Sequence, residues 1–312
     1  MKPHGIMFHH FHDDGMHIRG QGSISAEKFE QMICFLQKDK TILSAAEWFY
    51  RAQKNQLRNN EICITFDDNL KCQFDIAFPV LESLNITAFW FVYTSPLIGI
   101  IEKLEVFRYF RFKYFEDIDN FYHSFFNYLN QTEYKNEIIA ALSGFVPNRY
   151  LSDFPFYTEN DRTFRYLRDC VLKPDRFNKV MEQMLKDYNV ELSSLKDLLW
   201  MNEKDVRMLN TKGHIVGLHT HTHPTSTASL SKIEQIQEYQ TNMAELTRII
   251  GTKPYVMSHP CNSYNEDTID VLKELKVQLG FRSNMKDGFY SKFEYPREDH
   301  SNIVKQIELN GF

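Results

Sequence analysis

The chain has 312 residues, 43% of them hydrophobic and 25% charged, the balance of a soluble globular protein with enough sequence for one large core or two small ones. Its formal net charge of -5 gives no electrostatic footprint for nucleic acid, and no apolar run is long enough to cross a bilayer. Five scattered cysteines (Cys34, Cys63, Cys72, Cys170 and Cys261) form no CxxC pair and read as reduced packing residues, not as a disulfide frame or a zinc knuckle. The opening Met1-Lys2-Pro3-His4-Gly5 lacks the charged-then-apolar order of a secretory signal. The expectation is a cytoplasmic protein.

In chain order, residues 5–10 read as a first strand running into His9, His10 and His12. Ser25 caps a helix whose Phe29, Met32, Ile33 and Leu36 make one buried stripe. Ser44 and Glu47 have capping-box spacing and open a second helix. Residues 62–66 are a short apolar run, read as a buried strand, and a helix over about 73–84 follows, bent or tightened by Pro79. Residues 86–92 are the next strand. From 95 to 198 the character changes to an aromatic-rich, mostly helical insertion, whose rings are expected to pack it onto the main body. Alternation then resumes. A short helix capped at Asn202 leads to a strand over 214–218, and a long helix follows, opened by the Ser231/Glu234 capping box, striped by Ile233, Ile236, Met243, Leu246 and Ile250, and stopped by Gly251. A strand over 255–258, a helix capped at Asn265 and a strand over 279–282 complete the pattern. Strands alternating with helices predict a parallel α/β arrangement.

Two stretches carry chemistry. Cys63-Ile64-Thr65-Phe66-Asp67-Asp68-Asn69 ends an apolar strand in adjacent carboxylates. Alternation sends neighbouring side chains to opposite faces while a strand continues, so only a chain that stops there brings both into one cleft. Such clefts lie at the carboxyl ends of parallel strands. The same residues are also good turn chemistry. The second stretch is His219-Thr220-His221-Thr222-His223-Pro224, where His219 and His223 stand four apart and His221 points away by parity. Two imidazoles and one carboxylate are a common ligand set for a catalytic divalent metal; a polar loop that happens to be His-rich is the other reading. Together the stretches supply a metal triad and a spare carboxylate to act as general base, a hydrolytic site.

At these residues the chain resembles the NodB-homology polysaccharide deacetylases, carbohydrate esterase family 4. Thr65-Phe66-Asp67-Asp68-Asn69 resembles the first motif, TFDDG, and His219 to Pro224 resembles the second, H-[ST]-x-x-H-P. Phe8-His9 is similar to the Tyr-His that ends the family's first strand, residues 86–91 to its "pATFF" strand, and Ser258-His259-Pro260-Cys261-Asn262-Ser263-Tyr264 to a Ser-Tyr-Pro-Tyr-Gly variant of the third motif. The likeness covers residues 1–94 and 199–300 but not the insertion.

The resemblance implies one catalytic domain over 1–312, a distorted (β/α) barrel of about seven strands instead of a closed eight, interrupted by the 95–198 insertion, which would cap the cleft. It implies Asp67 as general base and Asp68, His219 and His223 as ligands of a divalent metal, Zn²⁺ being the first expectation. Asn69 replaces the motif's glycine, and Ser258 stands where an Arg usually orients the base. Arg297 is the candidate replacement, with a surface salt bridge as its alternative. His300 is the candidate general acid, with His259 or His9 lining the cleft instead; His9, Asn69, His259 and Asn262 are taken as substrate-binding. The implied activity is metal-dependent N-deacetylation of an N-acetylated amino sugar (nucleotide-linked, lipid-linked or oligosaccharide), expected in cytoplasmic surface-polysaccharide or O-antigen synthesis. A sugar deformylase and a non-catalytic sugar-binding relative are the alternatives.

Overall fold

The computed structural model describes residues 2–152, 157–287 and 291–311. Two compact units divide the chain, Met1–Glu102 with Ser194–Phe312, and Lys103–Ser193.

The first unit is built on β1 (His4–Phe8), β2 (Thr41–Ile42), β3 (Glu61–Phe66), β4 (Phe89–Val92), β5 (Ile215–Leu218), β6 (Val256–Ser258), β7 (Leu279–Phe281) and β8 (Arg297–Asp299). Pairing is parallel throughout, in the order β7-β6-β5-β4-β3-β1-β8, with β2 beside β3. A single parallel bridge from Phe281 to Tyr295, just ahead of β8, brings the two ends of the sheet together. Seven strands thus make a nearly closed barrel, as the motif resemblance implies. Neither β2 nor β8 is among the elements read from the sequence. At two and three residues they are too short for any period to show.

Thirteen helices run through the described residues: α1 (Ala26–Leu36), α2 (Ala45–Gln53), α3 (Phe78–Ser83), α4 (Lys103–Lys113), α5 (Ile118–Leu129), α6 (Lys135–Leu142), α7 (Glu159–Tyr166), α8 (Lys173–Asp187), α9 (Leu192–Leu199), α10 (Glu203–Thr211), α11 (Lys232–Ile250), α12 (Glu266–Glu274) and α13 (His300–Leu309). The expected caps at Ser25, Ser44, Asn202, Ser231 and Asn265 each accept a backbone N–H of the first turn. The helix anticipated over 73–84 is a π-helical turn, Gln73–Ala77, continued by α3 with Pro79 in its first turn. The stripe read on α11 needs correction. Ile233 is 73% exposed, whereas Gln235, Tyr239, Asn242, Met243, Leu246 and Ile249 are buried. Two of those buried side chains are polar amides that bind neighbouring segments, so hydrophobicity alone misplaces the face.

Register decides which side chains meet. Gly5 lies beside both Cys63 and Arg297, Thr65 beside Phe89, Phe89 beside Ile215, Phe91 beside Gly217 and Ser258 beside Phe281. Partners in register share a face, and Cys63, Phe89, Phe91, Ile215, Val256, Leu279 and Phe281 form one buried cluster with Trp48 of α2. That cluster is the barrel interior. Alternation along each strand therefore directs Asp67, two residues beyond Thr65, and His219, two beyond Gly217, to the interior at its carboxyl end. The opposite parity packs outward against helices: Phe66 stacks on Trp90 at 4.2 Å, and Phe8 meets Phe29 of α1 at 4.9 Å. Two glycines make room inside. A Cβ on Gly5 would lie 3.0 Å from Thr65 Cγ2 and 3.1 Å from Arg297 Cγ, and one on Gly217 would lie 2.7 Å from the Phe91 ring.

The second unit, Lys103–Ser193, contains α4 to α8, a π-helical turn at Leu167–Leu172 and no strand among its described residues. The insertion is helical, as expected. Its rings pack on one another. Phe121 contacts Phe115 at 5.3 Å and Phe164 at 5.4 Å, and Phe164 contacts Phe125 at 5.0 Å and Phe177 at 5.9 Å.

Candidate active site

Both aspartates reach one cleft because the backbone turns at the second of them. Asp68 has φ 79° and Asn69 φ 54°, two consecutive left-handed residues of the types that tolerate that region best. Asp67 keeps the parity of β3, and Asp68 is swung round beside it. The strand-end reading and the turn reading of this stretch therefore describe the same residues.

Asp67 is 3% exposed and Arg297 fully buried. Arg297 donates from Nη1 to Asp67 Oδ1 and from Nη2 to Oδ2, both at 2.7 Å, the bidentate geometry that suits guanidinium to carboxylate. Its Nε donates to the Arg282 carbonyl at 2.9 Å, and its guanidinium lies 5.7 Å from the Phe91 ring centroid. Arg297 is thus an interior side chain on β8, not a surface salt-bridge residue. Ser258, in the third-motif position, adds a hydroxyl donated to Asp67 Oδ1 at 3.1 Å. Burial alone would raise the Asp67 carboxyl, but the Arg297 charge and hydrogen bonds, with help from His219 and His9, hold it below the usual carboxylate range.

Asp68, His219 and His223 each bring one ligand-type atom to a common point, all within 4.8 Å of one another. Asp68 Oδ1 is 3.2 Å from His219 Nε2 and 3.1 Å from His223 Nε2. His219 Nδ1 is within 3.0 Å of the Ser258 carbonyl and 2.7 Å of its hydroxyl, which places the ring proton on Nδ1 and leaves the Nε2 lone pair facing Asp68. The Tyr93 ring packs against His223 at 5.1 Å. Asp68 Oδ1 is buried without a hydrogen-bond partner, although buried acceptors ordinarily have one. Two imidazole nitrogens and an otherwise unmet carboxylate oxygen fit a divalent cation of the zinc type.

His9 Nε2 is 3.9 Å from Asp67 Oδ2 and 3.9 Å from Asp68 Oδ2, so the end of β1 faces both carboxylates. The other expected residues are turned to different partners. His300 directs Nε2 to the Gly22 carbonyl at 2.8 Å and stacks on Phe8 at 5.7 Å. His259 directs Nε2 to the Phe293 carbonyl at 2.9 Å, stacks on Tyr264 at 4.0 Å, and is pushed down to about 4 by burial. Asn262 accepts the Ser283 N–H at 2.9 Å and fixes its own loop. Asn69 is buried, with neither side-chain atom hydrogen-bonded, while its carbonyl accepts the Met201 N–H at 3.0 Å. His221 directs Nδ1 to Thr94 Oγ1 at 2.8 Å, away from its two neighbours as its parity suggests.

Sequence reasoning missed Gln73 and the full part played by Ser258. Gln73 Nε2 donates to the Asp67 carbonyl at 2.5 Å and the His9 carbonyl at 2.9 Å, joining the ends of β3 and β1. A glutamine in a π-helical turn has no spacing that marks it. Ser258 reads from sequence only as a missing arginine.

Comparison with known proteins bears on the fold and the family. Residues 174–280 match the family model described as polysaccharide deacetylase. The family resemblance is to the polysaccharide deacetylases. The matched stretch holds His219, His223 and Ser258, whereas Asp67, Asp68 and Arg297 lie outside it. Among solved structures, the de-N-acetylase from Aggregatibacter actinomycetemcomitans aligns over 97% of this chain and 98% of its own, with TM-score 0.56 and 13% identity. The Streptococcus pyogenes deacetylase PplD, solved with acetate, aligns over 96% and 92%, with TM-score 0.53 and 14% identity. IcaB from Ammonifex degensii aligns over 95% and 87%, with TM-score 0.53 and 14% identity. At such identities the likeness is one of fold. No curated protein matches the chain.

Proposed function

We propose that this chain is a metal-dependent hydrolase that removes the N-acetyl group from an amino sugar. The observation that carries the reading is the pairing of a carboxylate clamped by Arg297 with a separate carboxylate–imidazole cluster one residue along. Asp67 and Asp68 are thereby given different electrostatic jobs. Asp68, His219 and His223 would hold the cation, which supplies a Lewis acid for the acetamide carbonyl and lowers the pKa of water.

The protein's own part is to place a base and keep it ionised. Asp67 Oδ1 is occupied by Arg297 and Ser258, whereas Oδ2 meets Arg297 Nη2 and otherwise faces His219 Nε2 at 4.0 Å and His9. Oδ2 is therefore the oxygen with a lone pair for a water proton. Water adds to the acyl carbon, the C–N bond breaks, and the sugar amine leaves with a proton as acetate is released. His300 directs Nε2 to the Gly22 carbonyl and stacks on Phe8 instead of facing the carboxylates, so we assign the return of that proton to Asp67 itself. His9 lines the substrate side of the carboxylates. The family match supports a carbohydrate amide as substrate, and sugars carried on a nucleotide, a lipid or an oligosaccharide remain the proposed range. No helix of the described residues is long and apolar enough to cross a membrane.

Acetate release from a panel of N-acetylated sugars, run beside N-formyl counterparts, tests the reading. Asp67→Asn is expected to abolish release with bound metal retained, and His219→Ala to lose both. Full turnover in both variants would sink the proposal.

A further inference from the structure

The ligand loop does not hold its own shape. Within His219-Thr220-His221-Thr222-His223, Thr220 has φ 62° and His223 φ 56°, a region sterically disfavoured for side-chain-bearing residues and most of all for a β-branched one. Through these turns His219 and His223 come to face Asp68 together. Something outside the loop must fix them.

Two side chains on α11 do so. Glu238 and Asn242 stand four apart and share a helix face. Glu238 Oε2 accepts the backbone N–H groups of His221 and Thr222, both at 2.8 Å, and Oε1 accepts the Thr222 hydroxyl at 2.7 Å. Asn242 Oδ1 accepts the His219 N–H at 3.0 Å, and its Nδ2 donates to the Val92 carbonyl at 2.9 Å and to Thr94 Oγ1 at 3.2 Å. Thr94 meets the middle histidine's ring, and the His221 carbonyl accepts the N–H groups of Thr94 at 3.2 Å and Ser95 at 2.9 Å. The backbone N–H groups of residues 219, 221 and 222 are thus captured by one helix face, and the loop is tied through Asn242 to the end of β4. Among the described residues no lysine or arginine pairs with Glu238. Its charge goes into hydrogen bonds to the loop, where charge-assisted bonds are strongest.

We propose that Glu238, supported by Asn242, is the positioning residue of the metal loop. It sets the approach of His219 Nε2 to His223 Nε2 and so the affinity for the divalent cation. This rests on the metal reading of Asp68, His219 and His223 given above. Groups that orient ligands without touching the metal typically cost about 10- to 100-fold in affinity when altered.

The test compares wild type, Glu238→Gln and Thr222→Ala. Zn²⁺ affinity is measured by competition with a chromophoric chelator, together with the visible spectrum of the Co²⁺-loaded proteins and the melting temperature of the metal-stripped ones. Glu238→Gln keeps the size and one oxygen for the two N–H groups but removes the charge, so charge-assisted bonds become weaker neutral ones and an N–H₂ replaces the acceptor that faces the Thr222 hydroxyl. It is expected to weaken Zn²⁺ by about 10- to 100-fold and to change the Co²⁺ spectrum. Melting of the stripped protein should stay within about 3 °C of wild type, and turnover should be regained as Zn²⁺ is raised. Thr222→Ala, which removes one bond and keeps the carboxylate, gives a smaller loss in the same direction and carries the test where Glu238→Gln fails to fold. Wild-type affinity in both variants overturns the proposal, as does a loss of affinity matched by an equal loss of melting temperature in the stripped protein. A wild type that takes up no stoichiometric zinc removes instead the metal reading beneath it.

Discussion

Arg297→Met leaves a similar apolar stem in the barrel but removes the charge that faces Asp67. The two residues are 0% and 3% exposed, and they meet through two bonds of 2.7 Å. At an effective dielectric of 20, unit charges 4 Å apart attract by about 4 kcal/mol. Removing one partner of a buried pair costs about 3–5 kcal/mol, because the other charge stays buried alone. Against a total stability of about 5–15 kcal/mol, the variant should fold but sit near its limit. The pH dependence identifies the cause. In the wild type the Asp67 carboxyl lies below its usual range, so its contribution is full above the unfolded value of about 3.9 and is lost as pH falls through the folded value. Without Arg297, burial dominates and raises the carboxyl above 3.9 or so. The folded variant then binds more protons than its unfolded chain, and its stability falls as pH rises. The deficit relative to wild type should therefore be larger at neutral pH than near pH 4. Urea unfolding of metal-stripped protein at both pH values, in a double-mutant cycle with Asp67→Asn, measures this. We expect a coupling energy of about 2–3 kcal/mol at neutral pH, with the double variant more stable than additivity allows. Additivity to within about 0.5 kcal/mol would refute the account of Arg297 as the counter-charge of Asp67.

Three further outcomes follow from contacts elsewhere in the barrel. Gly5→Ala places a methyl 3.0 Å from Thr65 Cγ2 and 3.1 Å from Arg297 Cγ; overpacking of this kind costs about 1–3 kcal/mol, and kcat should fall with KM little changed, as steady-state kinetics and urea melts would show. His300→Gln should keep turnover within a few-fold of wild type, since that ring turns its Nε2 to Gly22 and its face to Phe8; loss of about 100-fold or more in kcat would reinstate His300 as the general acid. His214 accepts the Ala88 N–H at 2.9 Å and the Trp90 indole N–H at 3.1 Å on Nδ1, and burial pushes it down to about 4. Its neutral form is thus native. The unfolded chain takes up the proton first, so about 3 kcal/mol of stability is lost as pH falls from about 6.5 to about 4, and His214→Gln should lack that segment of the stability–pH curve.

Much of the site was legible because its motifs sit at strand ends, where parity and chemistry meet. Asp67 and Asp68 follow a six-residue buried strand, and His219 follows another, so the barrel's carboxyl end could be inferred without any long-range contact. Arg297 was harder. Its strand is three residues long, and only pairing with β1 turns its side chain inward. What no pattern disclosed were groups acting through a single long-range hydrogen bond, such as Gln73 on the Asp67 carbonyl and Asn242 on the His219 N–H. These are polar residues on otherwise amphipathic elements, and hydrophobic periodicity treats them as solvent-facing.

The same contrast bears on Ser258, which stands where the resemblance leads one to expect an arginine. Arg297 enters from β8, on the far side of β1 from Asp67, and reaches both oxygens of that carboxylate. With the guanidinium delivered from that side, the third-motif position is free to carry a small hydroxyl. Ser258 uses it to touch Asp67 and His219 at once, at 3.1 Å and 2.7 Å, a link between the proposed base and a proposed metal ligand. Gly5 is the condition for this exchange, since any larger residue on β1 would press on the Arg297 stem. The glycine on β1, the arginine on β8 and the serine on β6 are therefore one solution, and placing an arginine at position 258 without removing Arg297 would put two guanidinium groups at a single carboxylate.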